Sequence, residues 1–151
     1  MRADWRFSIE YYTGMIAHIL HANFERPVSM HDRDKILLFE DHLTFAHRSP
    51  IHIQNKLLPG VKGLSQAHQD FAAEYGLRNH GYLPSGEGSE GICHAMMAET
   101  YALPGQVVVG TDSHTTHSGA LGCLAFGVGS TDMAFSMVYG AIRLTVPQTL
   151  R

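Results

Sequence analysis

Apolar positions along the chain switch between helical and strand-like spacing, and the switches outline an alternating set of elements. Ile9, Tyr12, Ile16, Ile19, Leu20 and Phe24 share one face at helical spacing and predict an amphipathic helix over residues 8–24. Arg26-Pro27 ends it, because the residue before a proline avoids the helical region. The apolar run closing at Phe39 predicts a short buried strand over 35–39. Residues 48–63 hold Pro50 and Pro59 with no clean period and read as a connection, whereas 64–75 read as a helix closed by Gly76. Residues 77–90, rich in Gly, Ser and Pro, read as a loop, and 92–97 read as a strand before a turn at Pro104-Gly105. Val107, Val108 and Val109 predict a buried strand ending at Gly110. Two short helices follow, over 118–126 and 130–139, separated by Gly127-Val128-Gly129, with Ser130 as the N-cap of the second. A last strand over 142–146 is stopped by Pro147. The alternation predicts an α/β domain, a three-layer-type sheet with flanking helices.

Chemistry concentrates where the valine strand runs out. Asp112, Ser113 and His114 follow Gly110-Thr111 directly. A rigid strand fixes the backbone there, and the loop beyond it leaves side chains free to converge. Taken alone, the triplet also reads as a polar turn with a capping Asp or Ser. The small-residue stretch over 118–132 allows close backbone approach to a helix or a ligand. It is not a phosphate loop, since no Gly-Lys-Ser/Thr follows a glycine pair, and Ser113 is not framed as Gly-x-Ser-x-Gly. Asp41-His42, just past the strand at 35–39, is a second carboxylate–imidazole pair of the kind that delivers a proton near neutral pH; as an isolated pair it also reads as a surface or capping contact.

Thr111-Asp112-Ser113-His114-Thr115, the glycine-rich tail and Gly127-Val128-Gly129-Ser130-Thr131-Asp132-Met133-Ala134 resemble the N-terminal part of the aconitase superfamily. Glu40-Asp41-His42 and Gly91-Ile92-Cys93-His94 agree in order and rough spacing, and the wording is most similar to its isopropylmalate dehydratase and homoaconitase branch. The resemblance implies a partial aconitase-like N-terminal domain of a hydro-lyase large subunit that uses a 4Fe–4S cluster as Lewis acid. It implies an acid pair of Asp41 and His42 near the leaving hydroxyl. It implies a second pair of His94 and Asp112, a carboxylate-binding Ser113, and a His114 that helps to position cluster and substrate. The favoured reaction is the interconversion of 2- and 3-isopropylmalate by dehydration and rehydration, a step of leucine biosynthesis, with homoaconitase and aconitase chemistry as the alternatives. The substrate is then a hydroxy di- or tricarboxylate, and the partner a small subunit or swivelling domain.

The chain departs from that pattern in two places. Its cysteines, Cys93 and Cys123, match no cluster-ligand spacing and read as small buried apolar residues, so the cluster ligands are expected downstream and no metal ligand is assigned. Ser8-Ile9-Glu10-Tyr11-Tyr12-Thr13 stands where relatives carry a short polar motif, with Glu10 and Thr13 as its loose counterparts. The 151 residues therefore read as a piece of a longer large subunit, or as an inactive domain serving binding or assembly.

Composition narrows the picture further. Charged residues make up 17%, against about a quarter in typical domains, as expected of a piece whose surface faces missing domains. The net charge of −3 and the lack of a basic patch argue against nucleic acid as a partner. No apolar run spans a membrane or forms a signal core, and two cysteines suit a reducing compartment, so the cytoplasm is expected. Among the 11 histidines, His114-x-x-His117 and His18-x-x-His21 have helical-neighbour spacing but lack the glutamate of a His-Glu-x-x-His zinc motif. The His18/His21 pair reads as solvated, and His31, His47, His52, His68 and His80 as surface or loop residues.

Overall fold

A computed structural model describes residues 1–25, 28–85, 88–146 and 148, with His47 described by its backbone alone. The expectations for Arg26-Pro27, Pro147 and the His47 side chain lie outside the described residues. Five parallel strands form one sheet in the order β3-β2-β1-β4-β5. They are β1 (Trp5–Ile9), β2 (Ile36–Phe39), β3 (Arg78–His80), β4 (Val107–Gly110) and β5 (Leu124–Gly127). Helices α1 (Glu10–Asn23), α2 (Pro50–Gln54), α3 (Leu58–Tyr75), α4 (Cys93–Met96) and α5 (Ser130–Tyr139) connect or flank them.

The alternating side chains of β1 separate the two cores. Trp5, Phe7 and Ile9 pack with Leu37, Phe39, Val108, Cys93 and Met97 on one face. On the other face Ile36, Leu38 and Val109 meet Ile16 and Leu20 of α1, Phe71 and Tyr75 of α3, and Met133 and Met137 of α5. The expected three-layer α/β arrangement is therefore present, with α1, α3 and α5 on one face and the shorter α4 segment on the other.

The chain builds outward from β1 to β2 and β3, then crosses to β4 and β5 on the other side. The strand order thus reverses between β1 and β4, where Phe7 is registered with Gly110. In open parallel sheets the crevice outside the carboxyl ends of the strands at such a reversal is where ligands bind.

Several local expectations are corrected. Residues 8 and 9 belong to β1 rather than to the first helix. That strand escapes a hydropathy reading because its second face carries Arg6 and Ser8, both fully buried. The Arg6 guanidinium donates to the carbonyls of His31 at 2.8 Å, Asp32 at 3.1 Å and Ser136 at 3.3 Å, which makes its burial tolerable. The connection over 48–63 instead contains α2 and the first turns of α3, where Pro59 sits in the opening turn and its missing N–H costs nothing. Gly76 closes α3 in the left-handed conformation, as expected. The polar segment Arg78–His80 is a strand only because it pairs with β2 at the sheet edge.

Beyond the extended N-cap Ile92, residues 93–97 are helical rather than a strand: α4 runs into one π-helical turn, Met97–Tyr101, and Cys93 and Met97 bury the same side. Residues 118–126 split into a 3₁₀ segment, Ser113–Leu121, and strand β5, separated at Gly122 (φ 83°). The N-cap of α5 is Gly129, and the buried Ser130 hydroxyl has no partner among the described residues. No strand forms over 142–146; an isolated Arg2–Ala141 bridge precedes an irregular segment.

His68 and His80 are buried rather than superficial. His68 lies within 2.9 Å of Thr13 Oγ1 and 3.0 Å of Asn79 Oδ1. His80 lies between Glu90 (2.7 Å) and the Tyr101 hydroxyl (2.6 Å). On α1, His21 is paired with Glu74 at 3.0 Å rather than simply solvated. Cys93 is buried as expected, but Cys123 is half-exposed and its thiol donates to the Leu103 carbonyl.

Candidate active site

The carboxyl ends of β1, β2 and β4 deliver the charged residues to one crevice. Glu10 is the first residue past β1 and is almost wholly buried. Its Oε1 accepts the backbone amides of His42 and Leu43, each at 2.8 Å, and Oε2 accepts that of Asp41 at 3.4 Å. Burial raises its pKa above the usual carboxylate range, against the pull of these amides. Glu10 thus shapes the loop that carries the next two groups.

Asp41 and His42 follow β2. Asp41 Oδ1 lies 2.7 Å from His42 Nδ1, and Oδ2 accepts the Cys93 amide at 2.7 Å. Burial alone would raise the Asp41 pKa, but the hydrogen bonds from His42 and the Cys93 amide hold it below the ordinary value. The same Asp41 bond lifts His42 above an ordinary imidazole, outweighing its partial burial. His42 Nε2 faces a second carboxylate, 3.4 Å from Asp112 Oδ2. The imidazolium form is thereby favoured, with one carboxylate on each nitrogen.

Asp112 stands just past β4. Its Oδ1 accepts the His114 amide at 2.7 Å and faces His94 Nε2 at 2.9 Å and His114 Nδ1 at 3.1 Å. Burial would raise the Asp112 pKa, but the His114 amide and the surrounding imidazoles pull it down. The His94 ring, on α4 and packed edge-on against Phe7, is shifted the other way: burial lowers its pKa despite Asp112 beside it. The Asp112 carbonyl accepts the Thr115 hydroxyl and amide, which anchors the 3₁₀ segment.

Five of the six residues expected at the site, Asp41, His42, His94, Asp112 and His114, therefore converge. Ser113 lies at the rim, 3.4 Å from His114 Nδ1. It lines a pocket of about 470 Å³ with Tyr12, Thr111 and Gly127–Gly129. Glu10 and Thr13 are buried supports rather than lining groups. Glu40 also turns inward and accepts Ser65 Oγ at 2.5 Å and Gln69 Nε2. No apolar period could reveal Glu10, because its partners are backbone amides distant in sequence.

The thiols do not suit an iron–sulfur cluster, which is held by several thiolates. Burial and the nearby Asp41 carboxylate push the Cys93 thiol far up, away from the thiolate form, and the Cys123 thiol is raised by burial and engaged with a backbone carbonyl. Among the described residues there is no ligand set for such a cluster.

Residues 34–151 match the model of the aconitase family (aconitate hydratase). The chain belongs to the aconitase family. A 3-isopropylmalate dehydratase large subunit of Methanoregula boonei is 46% identical over 82 residues, covering 54% of this chain and 18% of that protein. The corresponding subunit of Syntrophus aciditrophicus is 39% identical over 121 residues, 80% of this chain and 26% of that protein. A methanogen homoaconitase large subunit of Methanocaldococcus jannaschii is 43% identical over 82 residues, 54% and 18% of the two chains. The chain thus spans between about a fifth and a quarter of the length of these family members. No helix among the described residues is long and apolar enough to cross a membrane.

Proposed function

We propose that this aconitase-family chain is the N-terminal, proton-delivering part of a hydro-lyase large subunit that interconverts 2- and 3-isopropylmalate in the cytoplasm. The observation that carries this reading is the meeting of His42 and His94 on opposite oxygens of Asp112, at the reversal of strand order. Dehydration of a hydroxy acid breaks a C–O bond, and the departing hydroxyl needs a proton. His42, kept protonated by Asp41, donates one from Nε2 to form water, and Asp41 holds the ring through Nδ1. In the reverse direction neutral His42 takes the proton back from the attacking water. His94, held by Asp112 and tending to neutrality, accepts or donates a hydrogen bond to that water. Ser113 and the backbone of Gly127–Gly129 line the pocket suited to a substrate carboxylate. His114 stays at the mouth of this half-site, its side chain 80% exposed while Nδ1 lies 3.1 Å from Asp112 Oδ1.

The half-site is electrically incomplete for a dicarboxylate. Segments 10–12, 40–44, 80–82, 111–118 and 127–130 contain no Lys or Arg, while Glu10, Asp41 and Asp112 are already acidic. We assign the missing positive charge, the base that removes the carbon-bound proton and the 4Fe–4S thiolates to further large-subunit sequence and to a small subunit. When bound, such a cluster supplies Lewis acidity. Similarity to two 3-isopropylmalate dehydratase large subunits, against one homoaconitase large subunit, supports isopropylmalate over homocitrate as substrate.

A chimera tests this reading. The matched segment of the Syntrophus aciditrophicus large subunit is replaced by this chain and assayed with its small subunit on isopropylmalate, homocitrate and citrate. Turnover of isopropylmalate above the other two is expected. A folded, cluster-loaded chimera inert on all three would instead mark this chain as an assembly module.

A further inference from the structure

The side chains around Asp112 have a second capability that does not depend on hydro-lyase activity. We propose that His94 Nε2, Asp112 Oδ1 and His114 Nδ1 form a binding site for one borderline-soft divalent cation such as Zn²⁺. The three donor atoms lie within 4.8 Å of one another. Two of the separations, 2.9 Å from Oδ1 to His94 Nε2 and 3.1 Å to His114 Nδ1, are close to the roughly 3.3 Å between neighbouring ligands in a tetrahedral zinc site with bond lengths near 2.0 Å. Moving each nitrogen outward by a few tenths of an ångström admits the ion in place of the shared protons.

Two imidazoles and a carboxylate are a donor set that zinc accepts, leaving the fourth position for water. The surroundings resemble the outer layer that such sites need. The other carboxylate oxygen, Oδ2, faces His42 Nε2 at 3.4 Å, and the His114 amide donates to Oδ1 at 2.7 Å, so the carboxylate is oriented before any ion arrives. Phe7 packs on the His94 ring, and the Thr115 hydroxyl fixes the Asp112 backbone. The exposed His114 leaves an open entry path.

This set differs from either histidine pair at helical spacing in the sequence. His117 lies near His94, with ring centroids 6.4 Å apart, but it is not one of the three donors. The discriminating experiment is calorimetric titration of the intact chain with ZnCl₂, with Co²⁺ as a spectroscopic probe of tetrahedral coordination. One ion per chain is expected with a micromolar constant and tetrahedral cobalt bands. Asp112→Asn should weaken binding by about tenfold or more, and His117→Ala by less than about twofold. Circular dichroism identifies any variant that fails to fold, in which case His94→Gln takes its place. Absence of saturable binding below roughly millimolar zinc would overturn the proposal. Binding lost with His117→Ala but kept in Asp112→Asn would do the same. An active chimera without zinc affinity defeats this site alone and leaves the hydro-lyase reading standing.

Discussion

Glu10 holds His42 by its backbone: the buried carboxylate accepts the His42 amide at 2.8 Å. The adjoining amides of Asp41 and Leu43 bind the same carboxylate, so the first residue beyond the central strand dictates the path of the loop beyond its neighbour. The His42 imidazole is placed by a group that does not touch its ring.

Removing that acceptor should be costly. Glu10→Ala leaves buried amide donors without a partner, a loss of about 1–3 kcal/mol per group in full desolvation, so the urea midpoint should fall clearly. Glu10→Gln keeps a carbonyl acceptor and should fall less. Equal midpoints for wild type and Glu10→Ala would contradict the cradle.

Stability should respond to pH with opposite signs from the two histidines. The folded pKa of His42 lies above 6.5, so its contribution is complete below 6.5 and is lost as pH rises through that folded value. For His94 the folded pKa lies below 6.5, so its contribution is present above 6.5 and disappears as pH falls through the folded value. Thermal midpoints measured against pH should lose their alkaline decline in His42→Gln and part of their acidic decline in His94→Gln. Unaltered profiles in both variants would refute the assigned environments.

Close approach at β5 supports Asp112. A Cβ added at Gly127 would sit 2.6 Å from the Asp112 carbonyl oxygen, whereas one added at Gly119 meets nothing within 4 Å. Gly127→Ala should therefore destabilise the chain by about 1–3 kcal/mol, and Gly119→Ala should be nearly silent. Denaturant unfolding of the two variants distinguishes the sites; similar behaviour would argue against tight contact there.

The cysteines should differ in reactivity. Cys93 is fully buried and its thiol is pushed far up, so a thiol reagent applied to the native chain should spare it. Half-exposed Cys123 should react slowly, and Cys93 only after denaturation. Mass mapping that finds Cys93 labelled first would show that the α4 segment opens readily.

Two of the five strands, β2 and β4, were legible because they are apolar by composition. Three consecutive valines mark β4, Ile36–Phe39 marks β2, and α5 has the predicted bounds of Ser130–Tyr139. β1 was hidden because it buries Arg6, whose terminal guanidinium nitrogens donate to three carbonyls that only the folded chain brings together. β3 was hidden for a different reason: Arg78, Asn79 and His80 carry no apolar signal, and pairing with β2 alone extends them. In the α4 segment, expected as a strand over 92–97, the fully buried residues Cys93 and Met97 stand four apart, a helical spacing too short to show as a period.

The candidate site was legible as short motifs and not as a network. Asp41-His42 and Asp112-Ser113-His114 stand out as polar clusters after apolar runs. What spacing could not disclose is that Asp112 joins His42 to His94, or that Asp41 caps the amide of Cys93. Those links depend on three loops meeting at one sheet edge. His68 and His80 read as surface or loop residues because the partners that accompany their burial, Thr13 and Tyr101 among them, are distant in sequence.

The most direct test of the proton-delivery claim is turnover of isopropylmalate by the chimeric large subunit, with its small subunit, carrying His42→Ala or Asp112→Ala. A loss of about 10²–10⁴-fold in turnover with the cluster and fold intact is predicted for His42→Ala, and a large loss for Asp112→Ala. Wild-type rates in either variant would contradict the account.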